Sequence, residues 1–195
     1  MLFLRYESFR QYVRLYPANT ALLAVMLVLF LAQRIFPVLT FRLMATNIPP
    51  ASQEIWRYLT AVFLHAGWMH LLFNAFALFV FAPPLERLFG SWKYVLFFLL
   101  CGIFGNVGAL SFAGGQPVSV VGASGSIYGV FGAYLYMALF QRHMLDPQSR
   151  TTVYAILAMG ALFSLIIPNV SFMAHFFGVF AGFVLYRWAG ADNLR

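Results

Sequence analysis

The sequence predicts an all-α membrane protein: one bundle of six transmembrane helices with both termini in the cytoplasm. Three observations carry that expectation. The 195 residues are 63% hydrophobic and only 9% charged, whereas a soluble domain carries about a quarter charged residues. Asp, Glu, Lys and Arg are absent from residues 15–33, 58–85, 94–141 and 151–186. Once those stretches are folded into helices, nine of the twelve basic residues fall on one side.

Length decides how each stretch folds. A spanning helix needs about 20 residues at about 1.5 Å each. The stretch 15–33 fits one helix, and 58–85 fits one helix with a polar approach. The third stretch would make a helix of about 72 Å in a bilayer core of about 30 Å, so it must fold back. Gly114-Gly115-Gln116-Pro117 marks that break, and Pro168-Asn169 marks one in the fourth stretch. Six helices follow, over about 17–35, 62–82, 93–113, 119–140, 151–167 and 171–189.

An even number places both termini on one side. Arg5, Arg10, Arg14, Arg87, Lys93, Arg142, Arg150, Arg187 and Arg195 lie there, against Arg34, Arg42 and Arg57 in the first loop. The positive-inside rule makes the richer side cytoplasmic. The outward loop of about 36–60 holds Pro37, Pro49 and Pro50, and ends in Ile55-Trp56-Arg57-Tyr58. A loop of that length is usually functional, and its rings suit the membrane interface.

Other classes recede. Met1-Leu2-Phe3-Leu4-Arg5 lacks the order of a cleavable signal peptide. The single Cys101 cannot form an internal disulfide. The net charge of +7 comes from arginines scattered at helix ends, which fits membrane orientation and not a nucleic-acid face. The expected environment is therefore the lipid bilayer, with no nucleic-acid partner.

The chemistry is concentrated in few polar groups. Gly122-Ala123-Ser124-Gly125 is a small-residue turn that exposes a hydroxyl, and Ala174-His175 puts an imidazole in another apolar span. An ionisable group inside a membrane is costly without a partner or a task. Ser124 and His175 each lie seven residues after a proline that opens their helix, which gives both a depth on the order of 10 Å. Gly125 with Gly129, and Gly178 with Gly182, form small faces that let two backbones approach. That closeness is what a serine nucleophile and its histidine base require.

His70 and Asn74 are spaced i, i+4 and share a face of the second helix. With the Ser124 N–H, the Asn74 amide is the expected donor to a developing oxyanion, and His70 assists. A triad lacks its acid: Asp146 is in an inner loop, Asp192 is in the tail, and Glu86 is at the inner end of the second helix. The only lysine, Lys93, is also on the inner side. No His-Glu-x-x-His motif is present, so no metal and no cofactor are expected.

The remaining polar and aromatic residues have structural readings. Trp56 and Arg57 anchor the interface, His65 caps the outer loop, and Glu86 with Arg87 satisfies the inner end of the second helix. Tyr128, one turn after Ser124, either packs in the core or stacks on His175.

Together these residues resemble the rhomboid family of intramembrane serine proteases. The matching pieces are Trp56-Arg57, His65, His70-x-x-x-Asn74, Glu86-x-x-x-Gly90, Gly122-Ala123-Ser124-Gly125 and Ala174-His175-x-x-Gly178-x-x-x-Gly182, across about residues 55–185. The resemblance implies Ser124 as nucleophile and His175 as base. It implies an oxyanion hole of His70, Asn74 and the Ser124 amide, with Tyr128 supporting the histidine and Trp56-Arg57 stabilising the first loop. It also implies a lateral gate bordered by helices 2 and 5; the apolar helix 5, about 151–167, carries Gly160 as a candidate flexible point.

The expected function is cleavage of transmembrane protein segments near their outer end by a Ser-His dyad. Two rivals remain: a non-catalytic, chaperone-like binder of membrane helices with the same fold, and a transporter or channel using His65, His70 and His175. Small size and the absence of targeting extensions point to a bacterial inner membrane. Oligomeric state, substrate and cleavage sequence stay open.

Overall fold

The computed structural model describes residues 2–168 and 170–190. Met1, the turn residue Asn169, the tail Asp192 and the basic Arg195 lie outside the described residues. The chain starts with α1 (Phe9–Leu15), a short helix closed by a capping box between Ser8 and Gln11. Sequence periodicity gave no sign of it.

Pro17 occupies the first position of α2 (Pro17–Ile35), where a missing N–H costs nothing. The helix buries Ala18, Leu22, Met26 and Phe30, a stripe at helical spacing, and leaves Val25, Val28 and Leu31 on its outer side. The expected loop 36–60 is partly ordered. It contains α3 (Val38–Leu43), the strand β1 (Ala45–Thr46), a 3-10 turn at Ala51–Gln53 and α4 (Arg57–Thr60).

The expected helix 62–82 needs correction. Its α-helical part is α5 (Trp68–Phe81), and the preceding segment Arg57–Phe63 meets it at 89°. The break has a partner that sequence spacing could not show. The Gln33 side chain accepts from the His65 backbone N–H at 3.1 Å and donates to the His65 carbonyl at 3.3 Å. Backbone groups freed by a break inside a membrane protein must be satisfied internally, and one glutamine does so here.

α5 is short, and its last carbonyls are closed by side chains from elsewhere. The Asn19 amide donates to Leu78 O, the Tyr12 hydroxyl to Phe79 O and the Tyr134 hydroxyl to Phe81 O. Next come α6 (Pro83–Phe89), which was not expected, and α7 (Ser91–Ser111). Glu86 on α6 is buried. Its carboxylate accepts from the backbone N–H groups of Ala18 and Asn19 at 2.9 and 2.8 Å, so it caps α2 and not the end of its own region.

The expected helix 119–140 also starts late, at α8 (Ser124–Phe140). Residues 119–120 form β2, paired antiparallel with β1 through Ala45↔Val120 and Thr46↔Ser119. The Gly122 N–H then donates to Ala61 O at 2.9 Å, and Gly122 has φ +128, where a side chain would be strained. The first loop thus holds 118–122 extended and delays the helix to Ser124. No helix therefore runs from Pro117 to Ser124, and the depth of Ser124 does not follow from counting helical residues after Pro117.

α9 (Pro147–Ile166) begins four residues earlier than the expected start at 151, because Asp146 caps it by accepting from Ser149 N at 3.0 Å. α10 (Phe172–Gly190) follows. Among the described residues, α2, α7, α9 and α10 are long and apolar enough to cross a membrane. The bent pair Arg57–Phe63 and Trp68–Phe81 makes a fifth candidate, and α8 is a shorter apolar helix.

Candidate active site

Three helices converge on the site through glycine. A methyl group on Gly105 of α7 would lie 2.8 Å from the Ala174 carbonyl oxygen of α10 and 3.1 Å from the Gly125 Cα of α8. A methyl group on Gly178 would collide with the Gly125 carbonyl, and one on Gly182 with the Gly129 carbonyl. Only glycine permits this closeness. Its consequence is positional: Gly125 follows Ser124 and Ala174 precedes His175, so positions 124 and 175 lie beside the place where the α8 and α10 backbones pack.

The rings agree with the backbone. Tyr128, one turn after Ser124, is stacked on His175 with centroids 3.9 Å apart and planes 7° from parallel. His175 is 8% exposed, while Ser124 is half-buried.

Ser124 is the first residue of α8, with Ala123 as N-cap. The N–H groups of a first turn have no acceptor within their own helix, so those of Ser124 and Gly125 are free to serve a reacting oxygen. Opposite them stands α5. A methyl group on Gly122 would lie 2.6 Å from His70 Cε1, 2.7 Å from His70 Nε2 and 3.7 Å from Asn74 Nδ2. The absence of a side chain at Gly122 therefore lets His70 and Asn74 press against the serine turn. Asn74 is buried, and its Nδ2 has no hydrogen-bond partner. A buried donor left unmade costs stability, which is the pattern of a group held ready for a ligand.

Other expected site residues fall around this centre. His65 is 2% exposed and buried beside His70, ring centroids 5.1 Å apart; it does not cap an outer surface. Arg57 is buried as well. It bonds Glu54 at 2.9 Å, donates to the carbonyls of Phe41 and Met44 and lies over the Trp56 ring at 4.9 Å. These contacts tie α4 to the end of α3. Trp56 itself is largely exposed.

Two residues of α9 reach the site. A methyl group on Gly160 would collide with the Tyr128 hydroxyl, so that glycine marks a close approach between α9 and α8. Ser164, one turn later, has its Oγ 2.6 Å from His175 Nδ1. Sequence reasoning passed over Ser164. Its only signal was the Gly160-x-x-x-Ser164 spacing, which puts both on one helical face. Among the described residues, no group of three or more His, Cys, Asp or Glu is arranged to hold a metal ion.

A bundle of apolar helices with a half-buried serine at a helix N-terminus, one turn before a tyrosine stacked on a histidine, fits the class of membrane-embedded serine hydrolases. The sequence comparisons agree with that class. The model of the Rhomboid domain matches residues 52–191. The chain is 40% identical over 190 residues to "Putative rhomboid protease YdcA" of Bacillus subtilis, covering 94% of each. It is 36% identical over 133 residues to "Rhomboid protease GluP" of the same species, covering 68% of this chain and 26% of that one. It is 28% identical over 139 residues to "Rhomboid-type serine protease 2" of Emericella nidulans, covering 70% of this chain and 27% of that one. The chain belongs to the rhomboid family. It is an integral, multi-pass membrane protein and an intramembrane serine protease.

Proposed function

We propose that the chain cleaves transmembrane segments of membrane proteins near their outer end, with Ser124 as nucleophile and His175 as general base. The observation that carries this reading is the stack of Tyr128 on His175, because Tyr128 lies one turn from Ser124 on the same helix face. The glycine contacts among Gly105, Gly125 and Ala174 support it independently.

In this mechanism Nε2 of neutral His175 takes the Ser124 hydroxyl proton as Oγ attacks the scissile carbonyl carbon. The carbonyl oxygen becomes an oxyanion, which accepts from the Ser124 N–H, Asn74 Nδ2 and His70. The imidazolium returns its proton to the leaving amine, and an ester to Ser124 remains. Water then attacks that ester, His175 takes the water proton, and the acid product leaves with Ser124 reprotonated. Tyr128 holds the imidazole plane. Gly122, Gly125, Gly178 and Gly182 allow the approach, Trp56, Arg57 and Glu86 keep loop and helix ends in place, and His65 packs against the His70 ring.

The substrate helix must unwind locally to present a carbonyl to Ser124, so substrates with helix-weakening residues are favoured. We assign the whole chain to one domain whose α2, bent α4–α5 unit, α7, α8, α9 and α10 cross the bilayer six times. The excess of basic residues at one side supports cytoplasmic termini, and the Bacillus relative supports a bacterial inner membrane. The test is incubation of purified protein with a transmembrane substrate. Cleavage by wild type, lost in both Ser124→Ala and His175→Ala, is expected. Cleavage that persists in Ser124→Ala overturns the assignment.

A further inference from the structure

We propose that Ser164 is a positioning residue that fixes the proton of His175 on Nδ1 and leaves Nε2 bare; the inference rests on the dyad reading above. Ser164 Oγ has two neighbours at hydrogen-bonding distance. One is the Gly160 carbonyl oxygen at 2.6 Å, one turn back on α9, and the other is His175 Nδ1 at 2.6 Å on α10. A serine hydroxyl carries one proton. Two oxygens at 2.6 Å repel unless a proton lies between them, and a carbonyl can only accept. The hydroxyl proton therefore points to Gly160, and Oγ presents lone pairs to the ring. For the second contact to be a hydrogen bond, Nδ1 must bear the hydrogen.

The consequence is chemical. A neutral imidazole with hydrogen on Nδ1 has its basic lone pair on Nε2, and which nitrogen is protonated is set by the bond made by the other. In a serine triad a carboxylate performs this task. Here the hydroxyl of Ser164, a residue only 5% exposed, does so. When His175 becomes an imidazolium, Nδ1–H still donates to Ser164, which stabilises the cation less than a carboxylate would. No proton leaves Nδ1 during the cycle; the transferred proton moves only between Ser124, Nε2 and the leaving group.

The test uses full-length protein with 15N-labelled histidine in lipid nanodiscs, together with the rate of labelling by a fluorophosphonate. The His175 spectrum of wild type is expected to show protonated Nδ1 and bare Nε2. In Ser164→Ala the tautomers are expected to mix and the labelling rate to fall about tenfold or more. Ser164→Thr keeps a hydroxyl that can bond the preceding turn, and is expected to restore both. A wild-type spectrum with hydrogen on Nε2 overturns the proposal, even if Ser164→Ala fails to fold. So does an unchanged tautomer and rate in a folded Ser164→Ala. Failure of the dyad itself reads differently: labelling would then survive Ser124→Ala, whatever the tautomer.

Discussion

Tyr128 and His175 lie face to face, with ring centroids 3.9 Å apart and planes 7° from parallel. The tyrosine belongs to the helix that Ser124 opens, so this one contact fixes the imidazole plane relative to the proposed nucleophile. Aromatic pairs contribute about 0.5–1.5 kcal/mol beyond burial. Tyr128→Phe is expected to retain the stack and most of kcat/KM. Tyr128→Ala is expected to lose about three- to tenfold, read as substrate cleavage per folded molecule.

Asn74 separates catalysis from stability. Its buried Nδ2 bonds no other group among the described residues, so Asn74→Ala breaks no hydrogen bond of that donor and is expected to leave thermal stability equal or higher. If that donor serves the oxyanion, kcat falls by about 10²–10³ with little change in KM. A melting curve and steady-state kinetics on one preparation check both halves.

The expected consequences for Glu86 are the reverse. Its carboxylate accepts from two backbone N–H groups of α2 and from the Ser91 hydroxyl at 2.7 Å. Glu86→Ala strands those donors in the core and is expected to destabilise by about 1–3 kcal/mol. The folded fraction should cleave at the wild-type rate, which a lowered melting temperature beside unchanged kcat would show.

Gly182 tests the helix contact that brings the two side chains together. A side chain there meets the Gly129 backbone, which cannot move away without separating α8 from α10. Gly182→Val is expected to cost about 1–3 kcal/mol or more and to lower kcat even at temperatures where the protein stays folded.

Asp146 supplies a pH dependence away from the membrane. The Ser149 side chain, followed by the Ser149 backbone N–H, holds its carboxyl below the usual carboxylate range. A depressed folded value means the cap adds stability above the unfolded value of about 4 and loses it as pH falls through the folded value. Amide exchange in the first turn of α9 is expected to quicken below that range in wild type, and to be fast at every pH in Asp146→Ala.

Much of the fold was legible because lipid imposes simple rules on sequence. α2 appears where the charge gap placed it, and α7 and α10 lie within two residues of their expected bounds. The late starts of two helices share one cause. Helices α5 and α8 start late because Gln33, β1 and Ala61 capture the preceding backbone. Those are contacts between distant residues, and local apolar runs continue through them. In the candidate site, Ser124, His175, His70 and Asn74 stood out as polar groups in an apolar chain. Ser164 did not, since a membrane-helix serine bonded to the carbonyl one turn back is ordinary. Glu86 was noticed but matched to the nearer helix end; its partners, Ala18 and Asn19, are 68 and 67 positions away.

On the proposed mechanism Ser124 is made nucleophilic by His175. Treatment with a fluorophosphonate followed by peptide mass spectrometry locates the reacting atom directly. A single adduct on Ser124 is expected, formed by wild type and absent in His175→Ala. An adduct on another residue, or undiminished modification of Ser124 without His175, would contradict it.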